Sequence, residues 1–134
     1  MATYNAFNAW ADYMVEGANL SSDQFVVACC NVAPVATNSV LADLTTIDHT
    51  NLSSRNLTTT SSSQTSGTYS LVLADLTLTA SDTVPEFQYI VVYDDTVAGD
   101  PLVCWYDYGS AINMSAAETL LVNFGSSLFT LAAA

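Results

Sequence analysis

The chain has 134 residues, of which 51% are hydrophobic and only 10% are charged, and its formal net charge is −12. This length fits one domain with its own core. One Arg against thirteen acidic residues excludes the electrostatic recognition of nucleic acids or anionic membranes, and the longest strongly apolar run, residues 25–30, is too short to span a bilayer.

The first predicted element is an amphipathic helix over residues 4–16, with Thr3 as its N-cap and Gly17 as its end. Three large side chains recur along it at spacings of three and four and would share one face: Phe7, Trp10 and Met14. This face could pack on the core of the same chain or on a neighbouring subunit, and the sequence leaves both alternatives open. The start of the chain has no basic segment followed by an apolar stretch, so we expect no secretory signal peptide.

From residue 24 onward the apolar pattern predicts strands. Residues 24–30 predict a short buried strand, and residues 31–39 predict a loop that contains a Pro. The Ser/Thr-rich stretch NLTTTSSSQTSGT at residues 56–68 predicts a solvent-exposed strand or hairpin with a turn at Gly67. The chain therefore changes from helical to strand periodicity within its first quarter.

The hexapeptide VLADLT occurs twice, at residues 40–45 and again at residues 72–77. The flanking residues do not repeat, which excludes a solenoid. We interpret both copies as β-prone segments in which an Asp interrupts the apolar face. In the second copy the phase of the large apolar residues changes at Ala74-Asp75, which predicts a bulge or a corner between two sheets.

The second half of the chain predicts further strands. The stretch FQYIVVY at residues 87–93 would direct one set of side chains to each face of a sheet, so that both faces are covered. The expected sets are Phe87, Tyr89, Val91 and Tyr93 on one face, and Ile90 and Val92 on the other. Residues 102–108 are expected to pair with this strand, and the last two strands, over 119–124 and 127–131, would be joined by a turn at Gly125-Ser126.

Together these elements predict one mainly β domain: an antiparallel β-sandwich or jelly-roll-like fold with one short N-terminal α-helix. Within this single domain of residues 1–134, residues 1–18 are expected to form the helix or arm and residues 19–134 the sandwich.

The sequence contains little that suggests catalysis. His49 is the only histidine, and its position supports no catalytic triad; we expect neither enzymatic activity nor a cofactor. The densest acidic group would form a solvated loop rather than a calcium site, because the regular calcium-loop spacing is absent, although cation binding stays open. This group is Asp94, Asp95, Asp100 and Asp107. The three cysteines, Cys29, Cys30 and Cys104, are expected to be buried, reduced thiols.

A protein with so few ionic groups is expected to bury part of its surface against other proteins. Arg55, the sole fixed cation, should pair with a carboxylate, either in its own chain or across an interface. We therefore predict a set of interface residues, namely Phe7, Trp10, Met14, Arg55, Trp105 and Tyr106.

Three stretches resemble a family of small virion structural proteins of tailed bacteriophages. They are SSDQFVVACCNVAPVATNSVLADLT (21–45), NLSSRNLTTTSSSQTSGTYSLVLADLTLTA (51–80) and FQYIVVYDDTVAGDPLVCWYDYGSAINMSAAETLLVNF (87–124). The resemblance implies a capsid decoration (cement) protein on the virion surface, assembled in the host cytoplasm. Its implied partners are the major capsid protein and copies of itself, as a homotrimer or other homo-oligomer. The doubled Cys and the absence of Lys depart from the family pattern.

Two alternative functions stay open. A tail or neck component would share the acidic β-sandwich, and the number of copies in each virion would distinguish it from a decoration protein. A carbohydrate-binding module on the virion surface would instead present exposed aromatic side chains, for which Trp105, Tyr106 and Tyr108 are the candidates.

Overall fold

A computed structural model describes residues 2–132 of the chain. The elements are β1 (Thr3–Ala6), α1 (Trp10–Glu16), β2 (Phe25–Cys30), β3 (Thr59–Thr65), β4 (Thr68–Leu73), β5 (Leu76–Thr79), β6 (Val84–Asp94), β7 (Leu102–Met114), β8 (Thr119–Val122) and β9 (Phe129–Ala132).

The strands form three antiparallel sheets. A four-stranded sheet has the order β1-β7-β6-β2, a three-stranded sheet the order β3-β4-β9, and a third sheet pairs β5 with β8. The predicted mainly β, antiparallel, sandwich-like fold with one short helix is therefore confirmed. No helix between residues 2 and 132 has the length and apolar character that crossing a membrane requires.

The main core joins side chains from all three sheets. The four-stranded sheet contributes Phe25 and Ile90, the three-stranded sheet Leu71, and the third sheet Leu78 and Val122, and each is fully buried. Burial of a side chain of this size stabilises the fold by about 1.5–3 kcal/mol, so this cluster accounts for much of the packing between the sheets.

A second apolar layer, which we call the outer layer, covers the opposite face of the four-stranded sheet. It includes Val26, Val91 and Trp105, against which Leu41 and Leu44 from the connection between β2 and β3 are packed. All six residues of β2 are buried. The expectation that both faces of the central strands are covered is confirmed, and a continuous apolar run such as FVVACC is the sequence pattern that this burial requires.

The prediction of a helix from residue 4 is wrong. Residues 3–6 form the edge strand β1, which pairs with β7, and the helix begins only at Trp10. Asn, Thr and Tyr are poor helix formers, and pairing with β7 provides ladder hydrogen bonds that a frayed first turn lacks. The N-terminal residues are thus part of the sandwich rather than an arm, whereas the predicted helix end at Gly17 is confirmed.

The predicted faces of β6 hold except at Phe87. This residue lies in the main core with Ile90 and Val92, whereas Val91 and Tyr93 lie in the outer layer. Register shifts against β7 occur on either side of Phe87. A bulge adds one residue to a strand and so reverses the side to which the preceding side chains point, which explains the exception.

The two VLADLT copies have different structures. In the second copy, β4 ends at Leu73 and β5 begins at Leu76 in another sheet, so the predicted corner at residues 74–75 is confirmed. In the first copy, Leu41–Asp43 form a single 3-10 turn. The interpretation of this copy as a β-prone segment is therefore wrong.

The remaining turns follow the sequence closely. The Ser/Thr-rich hairpin is present as β3 and β4, joined at Ser66 and Gly67 with φ values of 51° and 83°. Two successive residues with positive φ give the primed turn that matches the twist of a hairpin. The last two strands, β8 and β9, are also present, but they belong to different sheets rather than pairing with each other.

Candidate functional site

Most of the six predicted interface side chains are occupied by the core of their own chain. Four are buried, and the other two are half-buried. The buried residues are Phe7, Trp10, Trp105 and Tyr106, and the half-buried ones are Met14 and Arg55. A contact surface for other molecules would therefore consist mainly of exposed residues next to these six.

The predicted aromatic face of the N-terminal segment is divided between the two apolar layers. The Phe7 ring packs on Trp105 in the outer layer, with ring centroids 4.6 Å apart. The Trp10 ring lies in the main core, edge-on to Phe25 and Phe129 at 6.2 Å from each. Trp10 therefore connects the four-stranded sheet to the three-stranded sheet.

A groove of about 610 Å³ lies beside the edge strand β1. We call it the aromatic groove, and its main lining residues are Tyr4, Tyr106, Tyr108, Leu121, Phe124 and Leu128. Strand pairing places Tyr4 opposite Tyr106, and their rings meet edge-on at 5.5 Å. The Tyr106 ring in turn meets Phe124 at 5.9 Å, which fixes the floor of the groove.

Two residues of the aromatic groove expose large side chains to solvent. Tyr4 is 41% exposed and Leu121 is 57% exposed. In the stretch TLLVNF, Val122 and Phe124 are buried while Leu121 lies in the opposite phase of the strand. An apolar residue in the outward phase of a strand is the sequence signal that could have identified Leu121.

The tyrosines of the aromatic groove are neutral. Burial, followed by the neighbouring Cys104 thiol, raises the pKa of both Tyr4 and Tyr106 far above the ordinary value for Tyr. Burial also raises the pKa of Tyr108. The groove is therefore an uncharged, apolar surface with phenolic hydroxyl groups, on a molecule whose net charge is −12.

The aromatic residues considered for carbohydrate binding do not share one surface. Trp105 is buried in the outer layer, whereas Tyr106 and Tyr108 line the aromatic groove. Successive residues of a strand point to opposite faces, so Trp105 and its neighbour Tyr106 are separated by the sheet itself.

A second, polar depression of about 530 Å³ surrounds the only Arg. We call it the Arg55 pocket, and its polar lining residues include Asp48, His49, Thr50, Ser54, Arg55 and Asn56. The Arg55 Nη1 atom donates to the Val27 carbonyl at 2.6 Å, and the Val27 amide donates to the Arg55 carbonyl at 2.9 Å. Arg55 therefore closes the outer edge of β2.

Arg55 forms no ion pair with a carboxylate within residues 2–132. The expected pairing within the chain is therefore absent from the described part of the molecule, and pairing across an interface stays a prediction. His49 is a loop residue whose Nε2 accepts a hydrogen bond from the Cys29 amide at 2.9 Å. Burial and then the charge of Arg55 lower the pKa of His49 to about 4, so its ring is neutral near pH 7.

The predicted acidic group does not converge on one point. Asp94 is fully buried, and its Oδ1 accepts from the Thr96 amide at 3.0 Å. Burial and then the adjacent Asp23 carboxyl raise the pKa of Asp94 to about 7. The Gln88 side chain and the Gly109 amide lower the pKa of Asp107. Across residues 2–132, no three His, Cys, Asp or Glu side chains are grouped so that they could hold a metal ion.

The three cysteines are free and buried. Burial raises the pKa of the thiols of Cys29, Cys30 and Cys104. Since the thiolate is the reactive form, these are inert core side chains, in agreement with the expectation of reduced thiols.

The chain matches no protein-family model, no curated protein and no solved structure. The features of the chain that bear on its function are therefore the aromatic groove, the Arg55 pocket and the composition. The resemblance to virion structural proteins stays a prediction.

Proposed function

We propose that this protein is a structural component of the virion of a tailed bacteriophage, as a decoration protein on the outer surface of the capsid. The observation that carries the proposal is the aromatic groove, an uncharged apolar depression beside an edge strand, where Tyr4 and Leu121 remain exposed. Apolar surface of this kind gains free energy when a partner protein excludes water from it.

Composition and sequence resemblance support the same proposal. Only 10% of the residues are charged, compared with about 25% in ordinary soluble domains, and the three stretches described above resemble tailed-phage virion proteins over most of the chain. The partners would be the major capsid protein and further copies of this chain, with trimers at three-fold positions of the shell.

A decoration protein works by adding binding free energy across the junctions between coat subunits. Burial of one Leu side chain contributes about 1.5–3 kcal/mol, so a modest contact is weak in isolation. Many copies on one shell, and several contacts from each oligomer, make attachment multivalent and so raise the overall affinity without any new kind of contact. Because the decoration protein binds the assembled shell and not the separate coat subunits, its binding stabilises the assembled shell.

The test is binding of the purified chain to capsids of the encoding phage that lack it. We expect Leu121→Asp to weaken binding at least tenfold, because it introduces a charge into the aromatic groove. Val15→Asp is the matched control, since Val15 is 76% exposed on α1 and does not line the groove. Bound and free chain can be separated by sedimentation and quantified across a concentration series.

Two results would contradict the proposal. If Leu121→Asp and Val15→Asp weakened binding equally, the aromatic groove would not be part of the contact with the capsid. Failure of the wild-type chain to bind capsids, together with only a few copies in each virion, would favour the tail or neck alternative.

A further inference from the structure

The Arg55 pocket contains a cation whose hydrogen-bonding capacity is largely unused. A guanidinium group carries five N–H donors, and among residues 2–132 the Arg55 side chain donates only through Nη1, to Val27. That single bond and the reciprocal backbone bond hold Arg55 against β2. The remaining donors belong to a half-buried cation that lines an open pocket.

His49 adds a second donor to the same pocket. Its Nε2 accepts the Cys29 amide proton, so the neutral ring carries its own proton on Nδ1. Within the described residues, Nδ1 has no hydrogen-bond partner. The Asn56 amide and the Ser54 hydroxyl line the pocket as well. Several N–H and O–H groups therefore surround one fixed positive charge.

We propose that the Arg55 pocket is a binding site for a carboxylate group. The fork of a guanidinium matches the two oxygens of a carboxylate, and the polar lining supplies further donors. A singly charged carboxylate is favoured over a phosphate dianion, because the field of a molecule with net charge −12 repels a doubly charged ligand more strongly.

Asp48 is the one acidic side chain that opposes this assignment, since it also lines the pocket. Its Oδ1 accepts hydrogen bonds from the Thr50 amide and hydroxyl groups, and these bonds lower the pKa of Asp48. The Asp48 carboxylate is therefore charged and held by Thr50 rather than by Arg55. Removal of the Asp48 charge should therefore strengthen anion binding, whereas removal of the Arg55 charge should weaken it.

The same carboxylate chemistry is available from two sources. One is an Asp or Glu side chain of a neighbouring protein chain, and the other is a free carboxylate ligand. Each copy of this chain carries thirteen acidic residues and one cation, so Arg55 is the only side chain that can give a homo-oligomer an attractive contact between fixed charges. The site does not depend on the virion role, because it is tested on the isolated chain.

The test is a titration of the ¹⁵N-labelled chain with sodium acetate, followed through the Arg55 side-chain and His49 ring signals by NMR at constant ionic strength. We expect a saturable shift in the wild-type protein. Arg55→Gln should weaken acetate binding at least tenfold, and Asp48→Asn should strengthen it severalfold. Asp12→Asn on α1, which removes the same charge outside the pocket, is the matched control and should bind acetate as the wild type does.

A loss of binding in Arg55→Gln has meaning only if the variant is folded, because Arg55 also holds Val27. Arg55→Lys is therefore measured beside it. Lys keeps the charge and a donor for Val27 but lacks the fork, so we expect a folded protein with severalfold weaker acetate binding. A wild-type protein without a saturable shift, or variants that bind as tightly as the wild type, would overturn the proposal. Tighter binding of phosphate than of acetate would overturn the carboxylate assignment.

A second arm distinguishes the sources of the carboxylate. Sedimentation of the wild-type chain is compared in acetate and in chloride at equal ionic strength. If a neighbouring chain supplies the carboxylate, acetate competes with it and shifts the oligomer toward monomer. If the site takes a free ligand, acetate binds with no change in oligomeric state.

Discussion

The two copies of VLADLT contain the same six residues and pack on opposite faces of the same sheet. In the first copy, Leu41 and Leu44 cover the outer layer. In the second copy, the equivalent residue Leu73 belongs to the main core, and Leu76 packs against that core. The hexapeptide therefore determines neither its secondary structure nor the layer in which it is buried.

What the copies share is the spacing of their two leucines. Residues three apart point to opposite faces of an extended strand, so both leucines can reach one layer only if the chain bends between them. The first copy bends through a 3-10 turn, in which residues i and i+3 are aligned. The second copy bends at residues 74–75, between two sheets. The i, i+3 spacing thus requires a bend, and the flanking residues select which one forms.

The central Asp of each copy also has different partners. Asp43 accepts hydrogen bonds from the Ser39 amide, the Ser39 hydroxyl and the Val40 amide, which are all within four residues. Asp75 accepts one bond, from the Phe124 amide at 3.1 Å, which lies 49 residues away. The first Asp stabilises a local turn, whereas the second connects the residue before β5 to the segment that follows β8. Local and long-range roles thus follow from the same sequence.

The largest expected effect contrasts the first leucine of each copy. Leu73→Ala should lower the free energy of unfolding by about 3 kcal/mol, because Leu73 is buried among close-packed neighbours. Leu41→Ala should cost only about 1 kcal/mol, because Leu41 is half-buried under a surface connection. Urea unfolding of both variants measures the difference. Equal losses would mean that the outer layer stabilises the fold as strongly as the main core does.

Asp43 and Asp94 differ in the surroundings of their carboxyl groups, because Asp43 is solvated and Asp94 is buried. Hydrogen bonds from Ser39 and Val40 lower the pKa of Asp43, whereas burial, followed by Asp23, raises the pKa of Asp94 from 3.8 to about 7. A raised pKa means that the folded protein holds a proton that the unfolded chain releases. The stabilisation that this Asp94 proton gives to the folded protein is therefore fully present below about pH 4 and is lost as the pH rises through about 7.

We expect the free energy of unfolding to fall by about 2 kcal/mol between pH 5 and pH 8. Asp94→Asn should remove this fall, because an amide side chain does not titrate in this pH range. Asp95→Asn, an exposed neighbour in the same loop, is the control and should keep it. The measurement is urea unfolding at the two pH values. If Asp94→Asn kept the same fall in the free energy of unfolding, other titratable groups would be its cause.

The smallest expected effect tests whether burial or the number of hydrogen bonds decides the cost of losing an Asp. Asp75→Ala leaves the partly buried Phe124 amide without an acceptor and should cost about 1 kcal/mol. Asp43→Ala removes three bonds, but their donors are exposed and water can replace the carboxylate. We therefore expect the smaller shift in melting temperature for Asp43→Ala. A larger shift for Asp43→Ala than for Asp75→Ala would show that the local turn stabilises the fold more than the hydrogen bond from the Phe124 amide to Asp75 does.

Local signals predicted the local structure well. Gly17 ends the helix, Ser66-Gly67 forms the hairpin turn, and the change of apolar phase at residues 74–75 is a corner. Each of these features depends on the conformational preferences of residues adjacent in sequence. The partition of side chains between the two apolar layers was predicted correctly for most of β6 for the same reason.

Features that depend on distant partners were not predictable from the pattern. Residues 3–6 form a strand because β7 is available to pair with them, and Phe87 changes face because of a bulge against the same strand. The aromatic groove joins residues from β1, β7 and β8, which no sequence period connects. The unused donors of Arg55 likewise become visible only when the positions of all carboxylates in residues 2–132 are known.

The double covering of the central sheet has a consequence for the motions of the protein. Strand β6 lies between β7 and β2, and residues 90–92 are fully buried. Their amide hydrogens can reach solvent only when the neighbouring strands and both apolar layers separate together. Deuterium uptake at the middle of β6 therefore measures the opening of the whole domain, whereas uptake at the exposed turn of the β3–β4 hairpin, around Ser66 and Gly67, measures only local fraying.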